Sequence, residues 1–389
     1  MNMNRVSLFR ILCLFALISL LSGVIYAVAQ ERLDTPADVA TYLKNQTETQ
    51  SEEVAFVVYS VGEDGAPLPE DSLSYNADTP LPLASTFKIT VLAAYAQAVS
   101  EGELDPAEEV TVKDWEAYYL PGTDGGAHPA ALELLGISTD DLGAAKDENA
   151  VIPLEAVASA MIVQSDNAAT DYLITRVGED ALVRVTTEGG LTRQDLPPTL
   201  LGTFLAWGNH ERPETPDYQD VEDLREDARL YEEKYLSDSA WREAQLEWLG
   251  AHPTGSAELS QSFTRGSAAD YAHMMAGVVT RTFISPEVSE IMQGILEWPM
   301  EQPGTEESLV TFGAKGGNLP GVITEAFYLT PKAGDFANQP RVAVLLMNRL
   351  PDQAYADLSE TFAQQQLLLA LASQQSTVQD LGASLPPEE

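Results

Sequence analysis

The stretch Leu83-Ala84-Ser85-Thr86-Phe87-Lys88-Ile89-Thr90-Val91-Leu92 carries the decisive reading. From Thr86 to Ala98 the chain is strongly apolar with little polar face, which predicts a helix buried on all sides. Ser85 then falls at the helix N-terminus. Backbone N–H groups there can stabilise an oxyanion, and the helix dipole favours developing negative charge. Lys88 follows one turn later on the same face, within reach of Ser85 Oγ. Among Leu83, Ile89 and Leu92 its ammonium would lose hydration, which lowers an amine's pKa toward that of a usable base. Taken alone, a serine in this position is more often a helix cap than a nucleophile.

Two further groups of residues could act with Ser85 and Lys88. Ser165-Asp166-Asn167 lies between two helical segments, Leu154 to Val163 and Ala168 to Val177. A hydroxyl there can relay a proton to a leaving nitrogen, and the Asn167 amide can hold Lys88 or a substrate carbonyl. The same triplet also reads as an Asx-type turn capping the next helix. Lys315-Gly316-Gly317 follows the strand candidate Leu309 to Ala314. A lysine on an edge strand can bind a carboxylate, and glycines allow close backbone approach. The plainer alternative is a solvated lysine before a turn.

Around these motifs the chain alternates in character. Asp34 to Gln46 reads as a helix, Val54 to Val61 as a strand and Leu73 to Tyr75 as a second short strand. Residues 211–250 hold 13 acidic and 5 basic side chains, with Trp241, Leu246, Trp248 and Leu249 arriving late. That segment reads as an inserted helical lid or, equally, a solvated arm. Ala268 to Thr280 and Pro286 to Leu296 return to buried helix patterns. Leu309 to Ala314, Val322 to Leu329 and Val342 to Met347 are strands joined by short turns, which favours antiparallel pairing. Ala354 to Ala372 reads as a closing helix and residues 373–389 as a frayed, flexible tail.

Composition excludes several functions. Sixty acidic against 21 basic side chains give a formal net charge of −39 over 389 residues, which repels phosphate backbones and anionic lipids. Nucleic acid is therefore not an expected partner. Cys13 is the single cysteine, so disulfide frameworks, zinc thiolate sites and a cysteine nucleophile are not expected. Arg5 and Arg10 precede the apolar run Ile11 to Ile25, and Ala27-Val28-Ala29 has the small-x-small pattern of a cleavage site. Residues 1–29 thus read as a signal peptide for export, periplasmic or extracellular, with no stable membrane contact after cleavage. The other reading is an uncleaved anchor.

The three motifs, in the order S-x-x-K, S-D-N, K-x-G, form the signature of serine β-lactamases and penicillin-binding proteins, and the chain resembles the class A β-lactamase family. Tyr75-Asn76-Ala77 before Pro82-Leu83-Ala84-Ser85, and Ile162 to Asp171, match as well. The resemblance spans roughly Leu33 to Ala372 and implies an α+β, β-lactamase/transpeptidase-like fold. Its antiparallel sheet would come from segments 33–84 and 300–372, flanked by helices. Residues 85–299 would be mostly helical, with an acidic helical insert at about 208–255. It further implies that Ser85 is acylated and that Lys88 is its base or proton relay. Ser165 would shuttle the proton, Asn167 orient Lys88 and ligand, and Lys315 with Gly316 and Gly317 bind a substrate carboxylate. The Ser85 N–H would form part of the oxyanion hole.

Two departures stand out. Gly316 replaces the hydroxyl residue of the third motif, removing a hydrogen bond worth about 1.5–3 kcal/mol if charge-assisted. After Thr192-Arg193-Gln194-Asp195, Pro198 stands where the family carries its deacylating glutamate. Glu211, Glu214 or Asp217 of the insert could substitute. The histidines His128, His210, His252 and His273 show no ligand spacing, so neither a metal nor a cofactor is expected; His128 could line the cleft and His273 is expected to be buried. The expected protein is an exported, monomeric serine hydrolase acting on a small molecule, a β-lactam or related amide. The alternatives are a D-alanyl-D-alanine peptidase, amidase or esterase, and a non-hydrolytic penicillin-binding sensor.

Overall fold

A computed structural model describes residues 32–385, apart from 197, 215, 219–220 and 253–254. The apolar leader expected at 1–29 and the last four residues lie outside the described residues. Thr35 opens the first helix, α1 (Pro36–Glu48), with a capping box to Asp38 and proline in the first turn. The helix then buries Val39, Tyr42 and Leu43.

Five strands form the central sheet: β1 (Val54–Val61), β2 (Pro67–Tyr75), β3 (Leu309–Leu319), β4 (Val322–Pro331) and β5 (Arg341–Met347). They lie in the order β2-β1-β5-β4-β3, and every neighbouring pair is antiparallel. β1, β4 and β5 are buried along their whole length, which explains their unbroken apolar runs. β2 is longer than the expected Leu73–Tyr75. Its first four residues are exposed at a sheet edge, so no apolar alternation marks them.

Helices cover both faces of the sheet. Tyr59 of β1 donates its hydroxyl to Ala272 O on one side. The adjacent Ser60 meets Arg341 Nη1 on the other, and Arg341 Nη2 donates to Leu371 O. The helical region carries α2 (Lys88–Ser100), α3 (Leu154–Val163), α4 (Asn167–Val177), α5 (Leu200–Trp207), α6 (Val221–Ser237), α7 (Ser239–Leu249) and α8 (Ala268–Thr280).

The acidic segment packs as a buttress rather than swinging free as an arm. Leu224, Ala228, Tyr231 and Tyr235 recur at helical spacing on α6 and are buried, leaving Glu222, Asp223, Glu226 and Glu233 exposed. α6 crosses α5 at Gly202, where a Cβ would stand 2.7 Å from Ala228 O. Tyr235 donates to Tyr119 O at 2.8 Å.

Two C-terminal expectations fail. The single closing helix is two, Asp352–Thr361 and Ala363–Ser373, separated by Phe362 in the left-handed region at φ 54. The tail expected to fray forms a further helix, Gln375–Gly382. Val378 and Leu381, three apart, bury one stripe of it, and Gly382 packs beside Leu73 of β2.

Candidate active site

Ser85 enters on a 3₁₀ turn, Ala84–Phe87, that runs directly into α2. Ala84 takes φ 44, a strained value for a non-glycine residue. Strand β4 holds the turn in place: Thr324 Oγ1 donates to Leu83 O at 2.8 Å and lies 2.7 Å from Thr86 Oγ1. Gly317 lets β3 close on the same turn. A Cβ there would stand 2.6 Å from Ser85 N and 2.8 Å from Leu83 O. Any side chain at 317 would therefore displace the Ser85 backbone.

The three sequence motifs converge on one cleft of about 570 Å³, lined by Ser85, Ser165, Asn167, Lys315, Gly316 and Gly317 among others. Lys88 lies beneath it and is fully buried. Its ammonium donates to Ser165 O at 2.6 Å, Asn167 Oδ1 at 2.7 Å and Ser165 Oγ at 3.3 Å. These bonds go to the S-D-N turn and not to Ser85 Oγ, the expected partner. The first two acceptors cannot donate, so they keep two N–H groups engaged whatever the charge. A neutral Lys88 would then aim its lone pair at a hydroxyl. Burial and the neighbouring Lys315 ammonium hold the Lys88 pKa well below the ordinary lysine value, with Asp166, Asp171 and Asp124 opposing.

Ser165 joins the two lysines. Lys315 Nζ donates to Ser165 Oγ at 3.0 Å and to Gly316 O at 2.7 Å. Ser165 itself has φ 63, held by the turn before α4. Asp166 caps that helix through Ala169 N, so the Asx-turn reading holds too, while Asn167 faces Lys88. Lys315 sits within β3, not after it, because the strand runs on to Leu319. Burial lowers its pKa to about 8, with Glu325 opposing.

His128 does not line the cleft. It is buried under the S-D-N turn, with Nδ1 2.8 Å from Asp166 Oδ2 and Nε2 3.1 Å from Glu116 Oε1. Its ring stacks on Tyr119. Burial alone would lower its pKa, but Asp166 and Glu116 prevail and raise it to about 9. Asp124, on the preceding glycine loop, accepts from His128 N and Gly126 N, so its carboxylate caps the helix Ala127–Leu134.

Another part of the cleft lining is apolar. Leu200 and Phe204 of α5 face the cleft. Asp171 fixes the start of α5 by accepting from Leu200 N at 2.7 Å and Leu201 N at 2.6 Å. Burial and Glu232 push this carboxyl well above the ordinary range. Pro198 lines a separate hollow with Arg225 and Glu232. Asp195 is engaged on the backbone of Arg265 through Asp195 N–Arg265 O at 2.9 Å and Arg265 N–Asp195 Oδ2 at 3.2 Å. Glu211 pairs with Lys234, and none of Glu211, Glu214 and Asp217 lines the cleft. Among the described residues, the carboxylates that do are Asp124 and Glu325.

Sequence reading missed three buried groups here: His128 as a partner of Asp166, Asp171 and Glu325. Asp171 was legible only as part of a matching stretch. The partners of the other two lie 38 and 39 residues away in the chain, beyond any local pattern.

The sequence pattern of the Beta-lactamase enzyme family matches residues 38–364. The chain belongs to that family. Among solved structures it is similar to the β-lactamase of Sphaerobacter thermophilus DSM 20745, at 19% identity and TM-score 0.52, covering 90% of this chain and 98% of that one. The TLA-1 extended-spectrum β-lactamase matches at 12% identity and TM-score 0.51, covering 88% and 98%. PBP-A matches at 18% identity and TM-score 0.46, covering 84% and 96%. At these identities the first two likenesses show the β-lactamase/transpeptidase-like fold alone. No curated protein sequence matches. Among the described residues no helix is long and apolar enough to cross a membrane.

Proposed function

We propose that this β-lactamase-family protein is an exported serine hydrolase that acylates Ser85 with a β-lactam or a related cyclic or peptide-like amide. One observation carries the reading. Lys88 is buried, lowered in pKa and bonded to Ser165 and Asn167 in the wall of the cleft that holds Ser85. Ser85 Oγ attacks the carbonyl, its proton passes to Lys88, and Ser165 delivers a proton to the departing nitrogen. The Ser85 N–H, held against Gly317, faces the developing oxyanion. Lys315 holds the proton relay and the substrate in register through Ser165 Oγ.

A second reading, a slow or non-hydrolytic acyl trap of the penicillin-binding type, draws support from the apolar Leu200–Phe204 wall. Both readings require Ser85 to be acylated. Intact-protein mass after incubation with penicillin should rise by one adduct in the wild type and stay unchanged in Ser85→Ala. An adduct on the alanine variant would end the assignment.

A further inference from the structure

Gly316 opens the cleft onto a buried acid. Gly316 and Glu325 are direct partners across β3 and β4, and a Cβ at 316 would stand 2.8 Å from Glu325 Oε2. Where the third motif of the family has a hydroxyl residue, Gly316 thus lets a carboxyl group pack directly against the β3 backbone. Glu325 is 6% exposed and lines the cleft. Its Oε1 accepts from Gln364 Nε2 at 3.1 Å and Gln365 Nε2 at 2.9 Å, which leaves Oε2 on the Gly316 side.

A second buried acceptor lies beside it. Gln364 also lines the cleft, is 2% exposed, and its Oε1 has no hydrogen-bond partner among the described residues. Turning the amide over would set two oxygens face to face, so the acceptor stays free. No ion pair neutralises Glu325 among the described residues. Burial pushes the Glu325 carboxyl up to about 7, with Gln365, Gln364 and Lys315 opposing, and Lys315 gives two of its N–H groups to Ser165 Oγ and Gly316 O. Two buried acceptors, one of them a carboxyl, call for a donor.

We infer that Glu325 and Gln364 form a specificity subsite for a cationic N–H donor, a primary ammonium on the leaving side of the substrate. This deepens the serine hydrolase reading and rests on it for its kinetic test. An ammonium seated there pairs with Glu325 Oε2, and Gln364, whose Nε2 already holds Glu325 Oε1, keeps that carboxyl turned toward it. A carboxylate directed to the same place meets two acceptors and is disfavoured.

The test uses three N-acetylglycyl esters that differ only at the meta position of the leaving phenol: aminomethyl, carboxyl or methyl. Ser85 Oγ forms the new ester bond, the bond to the aryl oxygen breaks, and the serine proton leaves on the phenol through Lys88 and Ser165. Acylation, read by intact mass, should favour the aminomethyl over the carboxyl ester by about tenfold or more, the scale of one charge-assisted hydrogen bond. Glu325→Gln should reduce that ratio severalfold, and Gly316→Ala should reduce it by pushing the Glu325 carboxyl out of place. A carboxyl ester that reacts faster, or a ratio unmoved by Glu325→Gln, overturns the subsite. If penicillin labels Ser85 while the ratio is flat, only the subsite fails. If nothing labels Ser85, the hydrolase reading fails. The subsite is then decided by calorimetry on the folded protein, where no preference for 3-(aminomethyl)phenol over 3-hydroxybenzoate overturns it.

Discussion

The two walls of the cleft differ in how they handle a proton. On one wall Lys88, Ser165, Asn167 and Lys315 form a continuous hydrogen-bonded chain, with each lysine held low in pKa by burial. On the other, Leu200 and Phe204 present carbon, and the acid behind them, Asp171, already accepts from two backbone N–H groups. If Ser85 is acylated as proposed, the first wall serves that step, while Leu200 and Phe204 offer nothing to activate the water that would break the ester. Acylation and release would then be separable.

The largest expected effect lies on the first wall. Lys88→Arg should slow acylation of Ser85 by at least about 100-fold, because a guanidinium cannot be deprotonated to serve as a base. Rates from quenched intact-mass time courses would show it, and an unchanged rate would make Lys88 a bystander. The second wall can be altered in the opposite direction. Leu200→Glu places a carboxyl where the cleft lacks one and should speed loss of the penicilloyl adduct by about tenfold or more. Pro198→Glu should leave that rate alone, since Pro198 faces the hollow with Arg225 and Glu232. The reverse pattern, followed by decay of adduct mass, would place the second wall wrongly.

The ordering of the first wall was partly legible. Ser85, Lys88, Ser165, Asn167 and Lys315 stand in local patterns whose chemistry is recognisable residue by residue, and the apolar runs of β1, β4 and β5 report strands buried on both faces. The supports were not legible. The direct contacts of His128 with Asp166, of Glu325 with Gly316 and of Asp171 with Leu200 depend on how distant segments pack. Phe362 hid the break between the last long helices, because its apolar side chain continues the pattern while its backbone ends it.

The remaining effect is on stability and concerns the support of the first wall. His128→Phe keeps a ring against Tyr119 but leaves Asp166 and Glu116 without their shared donor, so it should destabilise the fold by about 3–5 kcal/mol. The sign with pH follows from a raised folded-state value. The stabilisation is fully present below 6.5, falls as pH rises, and is gone above about 9. Urea denaturation of both proteins should show their difference shrinking across that window. A difference that grew with pH would mean that the imidazole is held neutral.

A site built for acylation and poorly equipped for release shows itself in stopped-flow hydrolysis of a chromogenic cephalosporin. A burst of one product per enzyme should be followed by a steady state about 10²–10⁴-fold slower, the scale of one missing general base. Fast linear turnover without a burst would contradict it and place a working base near Ser85 after all.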